Sequence, residues 1–96
     1  MHKSTRMVVT GKVVGVGLAE HIKSNAEKLK IEGVVQRAPG NALVVLASGT
    51  SDDLECLIDE IYTGNKKAAV ENVAISPMVT HKDFHGVFRI IENEHD

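Results

Sequence analysis

At 96 residues the chain has room for one hydrophobic core, and a composition of 43% hydrophobic and 25% charged residues excludes a disordered or fibrous chain. The net charge of −2, with no basic run beyond Lys66-Lys67 and no aromatic among the positives, leaves nucleic acid no electrostatic footprint. A lone cysteine, Cys56, excludes an internal disulfide, no apolar run reaches the length of a membrane span, and Met1-His2-Lys3-Ser4 does not read as a signal peptide, so a cytoplasmic setting without membrane or nucleic-acid partners is expected.

Aromatics make up 3% of the chain, so the core is expected to be aliphatic, built mostly from Val, Ile and Leu. Residues 6–13 place Met7, Val9, Gly11 and Val13 on one face and Val8, Thr10 and Lys12 on the other, the period of a half-buried strand. The stretch Gly11-Lys12-Val13-Val14-Gly15-Val16-Gly17-Leu18-Ala19 then reads as a strand end, a glycine loop and the first turn of a helix. Such a loop can turn its N–H groups towards one point, and the helix N-terminus behind it adds partial positive charge. Gly15 and Gly17 also have a simpler reading, as residues that permit a tight turn. From Ala19 to Lys30 the period is helical, with Leu18, Ile22, Ala26 and Leu29 on one stripe and Glu20, Lys23, Glu27 and Lys30 off it.

Residues 31–37 and 42–48 read as two strands joined by the turn Ala38-Pro39-Gly40-Asn41, in which Pro presets φ and Gly accepts a positive φ. Gly49 is expected to end the second of them. Thr50 or Ser51 then caps a second helix, whose Leu54, Leu57, Ile58 and Ile61 form a buried stripe and which Gly64 terminates. After the polar link Asn65-Lys66-Lys67, residues 69–76 read as a fourth strand with Val73 and Ile75 inward and Pro77 as its stop. Residues 87–91 form a short fifth strand, and the acidic tail from Glu92 to Asp96 is expected to fray. The order β-α-β-β-α-β plus a small strand predicts an α+β, ferredoxin-like split βαβ sandwich. It would be an antiparallel sheet of four to five strands with two helices on one face.

With that order in hand, the Gly11–Ala19 stretch resembles the acylphosphatase family signature Gly-x-Val-Gln-Gly-Val-Gly-Phe-Arg. Gly33-Val34-Val35-Gln36-Arg37-Ala38-Pro39-Gly40-Asn41 resembles the family's second block, Gly-Trp-Val-x-Asn before a hairpin. The spacing between the blocks fits without a gap, and the resemblance runs on through Ser48-Gly49, the second helix and Phe88-Arg89-Ile90. It implies one acylphosphatase-like domain over residues 1–96, with an ordered core of about 6–91. It further implies that loop amides and an arginine hold the phosphoryl group of an acyl phosphate while an asparagine positions the attacking water. In this chain the arginine position is Ala19 and the asparagine position is Arg37, and Val14 and Leu18 replace the usual Gln and Phe.

Phosphoryl transfer rests on positioning and charge stabilisation, and loss of one preorganised donor costs about 10²–10³ in rate. The expectation is therefore a catalytically inactive or very weak relative that keeps a phosphate cradle from Gly15, Val16, Gly17, Leu18, Ala19 and Arg37, with no confident catalytic residue, no metal and no cofactor. Its ligand would be a phosphate-bearing small molecule or an inorganic anion, with a protein partner as a further expectation. Two alternatives stand beside it: an active acyl phosphate hydrolase in which Arg37 replaces the missing arginine, and a structural interaction module. Arg37 itself reads either as a guanidinium that swings into the cradle or as a solvated residue at a hairpin end.

Other candidates read as structure. His81, Asp83 and His85 have metal-like spacing but fall in a loop; His21 lies near the glycine loop on the first helix, between stripe and solvent. Cys56 lies off the buried stripe without a cationic neighbour, and Glu55, Asp59 and Glu60 make a solvated acidic face.

Overall fold

Residues 2–78 and 84–91 are described by a computed structural model. The elements are β1 (His2–Lys12), α1 (Leu18–Lys28), β2 (Glu32–Ala38), β3 (Ala42–Thr50), α2 (Ser51–Thr63), β4 (Ala69–Pro77) and β5 (Phe88–Ile91). The strands form one sheet in the order β4-β1-β3-β2-β5. β1 runs antiparallel to both β3 and β4, and β2 antiparallel to β3, which is the expected split βαβ arrangement.

The expected all-antiparallel sheet needs one correction, because β5 pairs parallel with β2. The direction follows from connectivity. The chain leaves β4 at the end of the sheet where β2 begins, so a strand that starts there and pairs with β2 must run alongside it. Two bonds hold that start: the Gly33 N–H donates to the Val87 carbonyl, and the Gly86 N–H donates to Glu32 Oε1, both at 2.9 Å.

The period-2 and helical stripes meet in one core, aliphatic but for Met7 and the buried Phe88 of β5. Met7 and Val9, Val35, Leu43 and Val45, and Val73 supply it from the sheet, with Val13 just past β1; Leu18, Ile22 and Ala26, and Leu54, Leu57 and Ile61, supply it from the helices. Register places Met7 opposite Val45 and Val45 opposite Val35, so the inward set lies on one face, beneath both helices. Burial of each such large aliphatic side chain contributes roughly 1.5–3 kcal/mol. Among the described residues no helix is long and apolar enough to cross a membrane.

Local chemistry sets most boundaries. Thr50 is the residue that caps α2: its hydroxyl accepts the Asp53 N–H at 3.1 Å. Gly64 ends that helix at φ 65°, its N–H donating to the Glu60 carbonyl at 2.9 Å. The hairpin loop spans residues 39–41 between the paired Ala38 and Ala42, with Gly40 and Asn41 both at positive φ. Tyr62, on the exposed side of α2, accepts the Val73 N–H on its hydroxyl at 3.1 Å and so ties α2 to the outermost strand.

Four expectations shift. α1 ends at Lys28 rather than running to Lys30, whose φ of 59° lies outside the helical region. β1 begins at His2 rather than residue 6, because its polar start still pairs with the far half of β3, Ser4 opposite Ser48. Gly49 does not end β3; it pairs with Lys3, and a Cβ there would stand 3.1 Å from Ile31 Cγ1, so the missing side chain makes room for packing. Ile75 shares the inward face with Met7 but is 50% exposed, because β4 is the sheet's edge, whereas Val73 is buried. The expected frayed tail 92–96 lies outside the described residues, as do His81 and Asp83.

Candidate functional site

The candidate site begins where β1 hands the chain to α1. Val13 is buried and fixes the exit from the sheet, after which the backbone turns through Gly15 at φ 74° and Gly17 at φ 80°. A side chain at Gly15 would meet nothing within 4 Å, so its requirement is the left-handed backbone and not space. Gly17 is the N-cap of α1 and has no side chain with which to close the helix. The N–H groups of the first turn, Leu18, Ala19 and Glu20, have no partner within the helix and no side-chain cap. They carry the positive end of the helix dipole.

These residues open onto a cavity of about 820 Å³. Gly15, Gly17, Leu18, Ala19 and Glu20 line it from the loop and α1, and Gln36 and Arg37 from the end of β2. Val13, Val35, Leu43, Ile90 and Ile91 add an apolar wall. Arg37 follows Val35 by two residues, which puts it on the helix-bearing side of the sheet beyond the buried part of β2. It is exposed, and among the described residues it makes no ion pair and no side-chain hydrogen bond; the same holds for Glu20. One free cation and one free carboxylate therefore border the cavity.

Of the residues singled out in the sequence, Gly15, Gly17, Leu18, Ala19 and Arg37 come together around this space. Val16 does not line it. Its side chain packs against the core, and its carbonyl accepts a hydrogen bond from Asn65 Nδ2 at 2.7 Å. Asn65 is in turn fixed by its own turn: Oδ1 accepts the Lys67 N–H at 3.1 Å and the Ala68 N–H at 2.8 Å. Sequence reasoning places Asn65 in a polar link and misses its part in the site, although an Asn followed by backbone donors two and three residues on is a known turn pattern. Glu20, Gln36, Ile90 and Ile91 are likewise missed.

His21 is not in the lining. It points to α2, with Nε2 3.9 Å from Glu60 Oε1. Cys56 is exposed, and no group of three His, Cys, Asp or Glu residues among the described residues could hold a metal ion. Chemically, the arrangement offers backbone donors, a helix dipole and one guanidinium to an anion, and an apolar surface to whatever the anion is attached to. Glu20 is the one described lining residue that could accept a proton.

A family model described as acylphosphatase matches residues 5–90. An acylphosphatase of Salinibacter ruber is 32% identical over 82 residues, which make up 85% of this chain and 85% of that one. The structure of an acylphosphatase from Coxiella burnetii aligns with a TM-score of 0.85 at 29% identity, covering 94% of this chain and 93% of that chain. The crystal structure of the acylphosphatase from Bacillus subtilis aligns with a TM-score of 0.87 at 24% identity, covering 95% and 99%, a likeness that speaks for the fold alone.

Proposed function

The chain belongs to the acylphosphatase family, and on that premise we propose that it is a catalytically inactive or very weak member that binds a phosphate-bearing small molecule or an inorganic anion. The observation that carries this reading is the shared cavity, in which uncapped first-turn amides and the Arg37 guanidinium, unpaired among the described residues, border one space. An anion there would accept backbone hydrogen bonds at a helix N-terminus and face a cation whose planar fork suits phosphate.

Hydrolysis asks for more. The family resemblance assigns the phosphoryl-holding arginine to position 19 and the water-positioning asparagine to position 37, occupied here by Ala19 and Arg37. Without the first, charge developing on the transferring group loses a preorganised donor; without the second, the attacking water loses its orientation. The two losses need not add, since residues that act as a unit are not independent. The apolar wall from Val13, Val35, Leu43, Ile90 and Ile91 supports a ligand with an apolar portion beside its phosphate. The single exposed cysteine fits a reducing, cytoplasmic compartment.

A second reading is favoured by one observation, that Arg37 lines the same cavity as the loop: the protein would hydrolyse acyl phosphates with Arg37 in place of the missing arginine. Phosphate titration together with benzoyl phosphate hydrolysis separates the two. Saturable phosphate binding with turnover near the uncatalysed rate supports the inactive binder. Turnover well above it, lost in Arg37→Ala, establishes the hydrolase. Absence of phosphate binding overturns both and leaves an interaction module.

A further inference from the structure

Resting on the reading of the glycine loop as an anion cradle, we infer that Asn65 is the positioning residue that keeps the cradle's Gly17 amide turned towards the ligand. The Val16–Gly17 peptide is trans, so its N–H points opposite to its carbonyl. Asn65 Nδ2 holds the Val16 carbonyl at 2.7 Å, from a position outside the cavity lining, while Gly17 is in that lining. Pinning the carbonyl on the outer side directs the Gly17 N–H inward, beside the free amides of Leu18 and Ala19.

The clamp answers a specific weakness of this loop. Turning the Val16–Gly17 peptide over changes mainly ψ of residue 16 and φ of residue 17, and glycine accepts nearly any φ. A carbonyl in place of an N–H would then face the anion and repel it. Few side chains could stand where Asn65 does. The group must donate to Val16 while accepting from Lys67 and Ala68, and a carboxamide does both with its geometry fixed by the two accepted bonds. Gly17 also lets the amide approach, since a Cβ there would lie 3.3 Å from Asn65 Nδ2. The connection after α2 thus sets the backbone at the start of α1, across 49 positions of sequence.

Two full-length variants test this. Asn65→Asp keeps an acceptor for Lys67 and Ala68 but puts an oxygen against the Val16 carbonyl; Asn65→Ala removes all three bonds and adds no charge. Inorganic phosphate is titrated into each, at low and high salt, and the Gly17 amide resonance is recorded in the free protein. The expected result is a loss of about tenfold or more in phosphate affinity in both variants, the yield of one hydrogen bond to a charged group. The Gly17 amide should shift before any phosphate is added. Repulsion of phosphate by the introduced carboxylate alone would fade with salt, whereas a turned peptide would not recover. Unchanged affinity, or a loss confined to Asn65→Asp at low salt, overturns the inference. Should the unaltered protein bind no phosphate, the function reading fails on its own, and the Gly17 resonance decides the clamp: moved in both variants, it stands; unmoved, it falls.

Discussion

The two helices of this fold begin in opposite ways. α2 starts from Thr50, whose backbone is extended and whose hydroxyl takes up the Asp53 N–H, and Asp52 and Asp53 set negative charge against the dipole. α1 starts from Gly17 in a left-handed conformation, with no side-chain cap and Glu20 as the acid of its first turn. Both termini face the same physical demand, unsatisfied N–H groups at the positive end of a dipole. One is met by a side chain when the chain folds; the other has no side-chain cap. The chain itself closes the start of α2, whereas the start of α1 stays open beside a cavity that Arg37 also lines.

The sharpest test of that contrast rebuilds the open end. Ala19→Arg combined with Arg37→Asn is expected to raise benzoyl phosphate hydrolysis by about 10² or more if the cradle is intact. A folded but inert double variant would show that the loop geometry itself no longer serves the chemistry. Next in size, Arg37→Ala should weaken phosphate binding by about tenfold or more, read by calorimetry, with the melting temperature unmoved because among the described residues Arg37 makes no ion pair or side-chain hydrogen bond. Thr50→Ala attacks the closed end and should do the converse. It should cost about 1 kcal/mol in denaturant unfolding and leave phosphate affinity unchanged. The smallest effect belongs to Glu20→Gln, expected to strengthen phosphate binding by about two- to threefold through removal of a solvent-screened like charge. Equal effects of Thr50→Ala and Arg37→Ala on phosphate affinity would erase the distinction between the two termini.

What is legible in the sequence follows the range of the interactions involved. The centres of the helix stripes, the Pro39-Gly40 turn and the cap at Thr50 are written within a few residues and appear where their patterns lie, while Leu29 falls past the end of α1 and Ile58 is only partly buried. The direction of β5 is not local, because it depends on which end of the sheet β4 leaves. Gly49 misleads for a related reason: read alone it resembles a strand terminator, and only the neighbouring Ile31 explains it. At the candidate site the glycine loop can be named from its motif, whereas Arg37 is noticed only because it stands where the family signature has asparagine. Asn65 cannot be tied to Val16, since nothing in its neighbourhood records a partner so far away in the chain, although its own turn bonds follow a recognisable local pattern.

One small contact carries a different kind of consequence. The Tyr62 hydroxyl sits over the margin of β4 and takes the Val73 N–H, at the border where a sheet could otherwise recruit another strand. A second molecule that tried to extend the sheet there would first have to displace a phenol anchored in α2. With phenylalanine in its place the Val73 N–H would lose that partner while the buried core kept its members, and the margin of β4 would stand open to another strand.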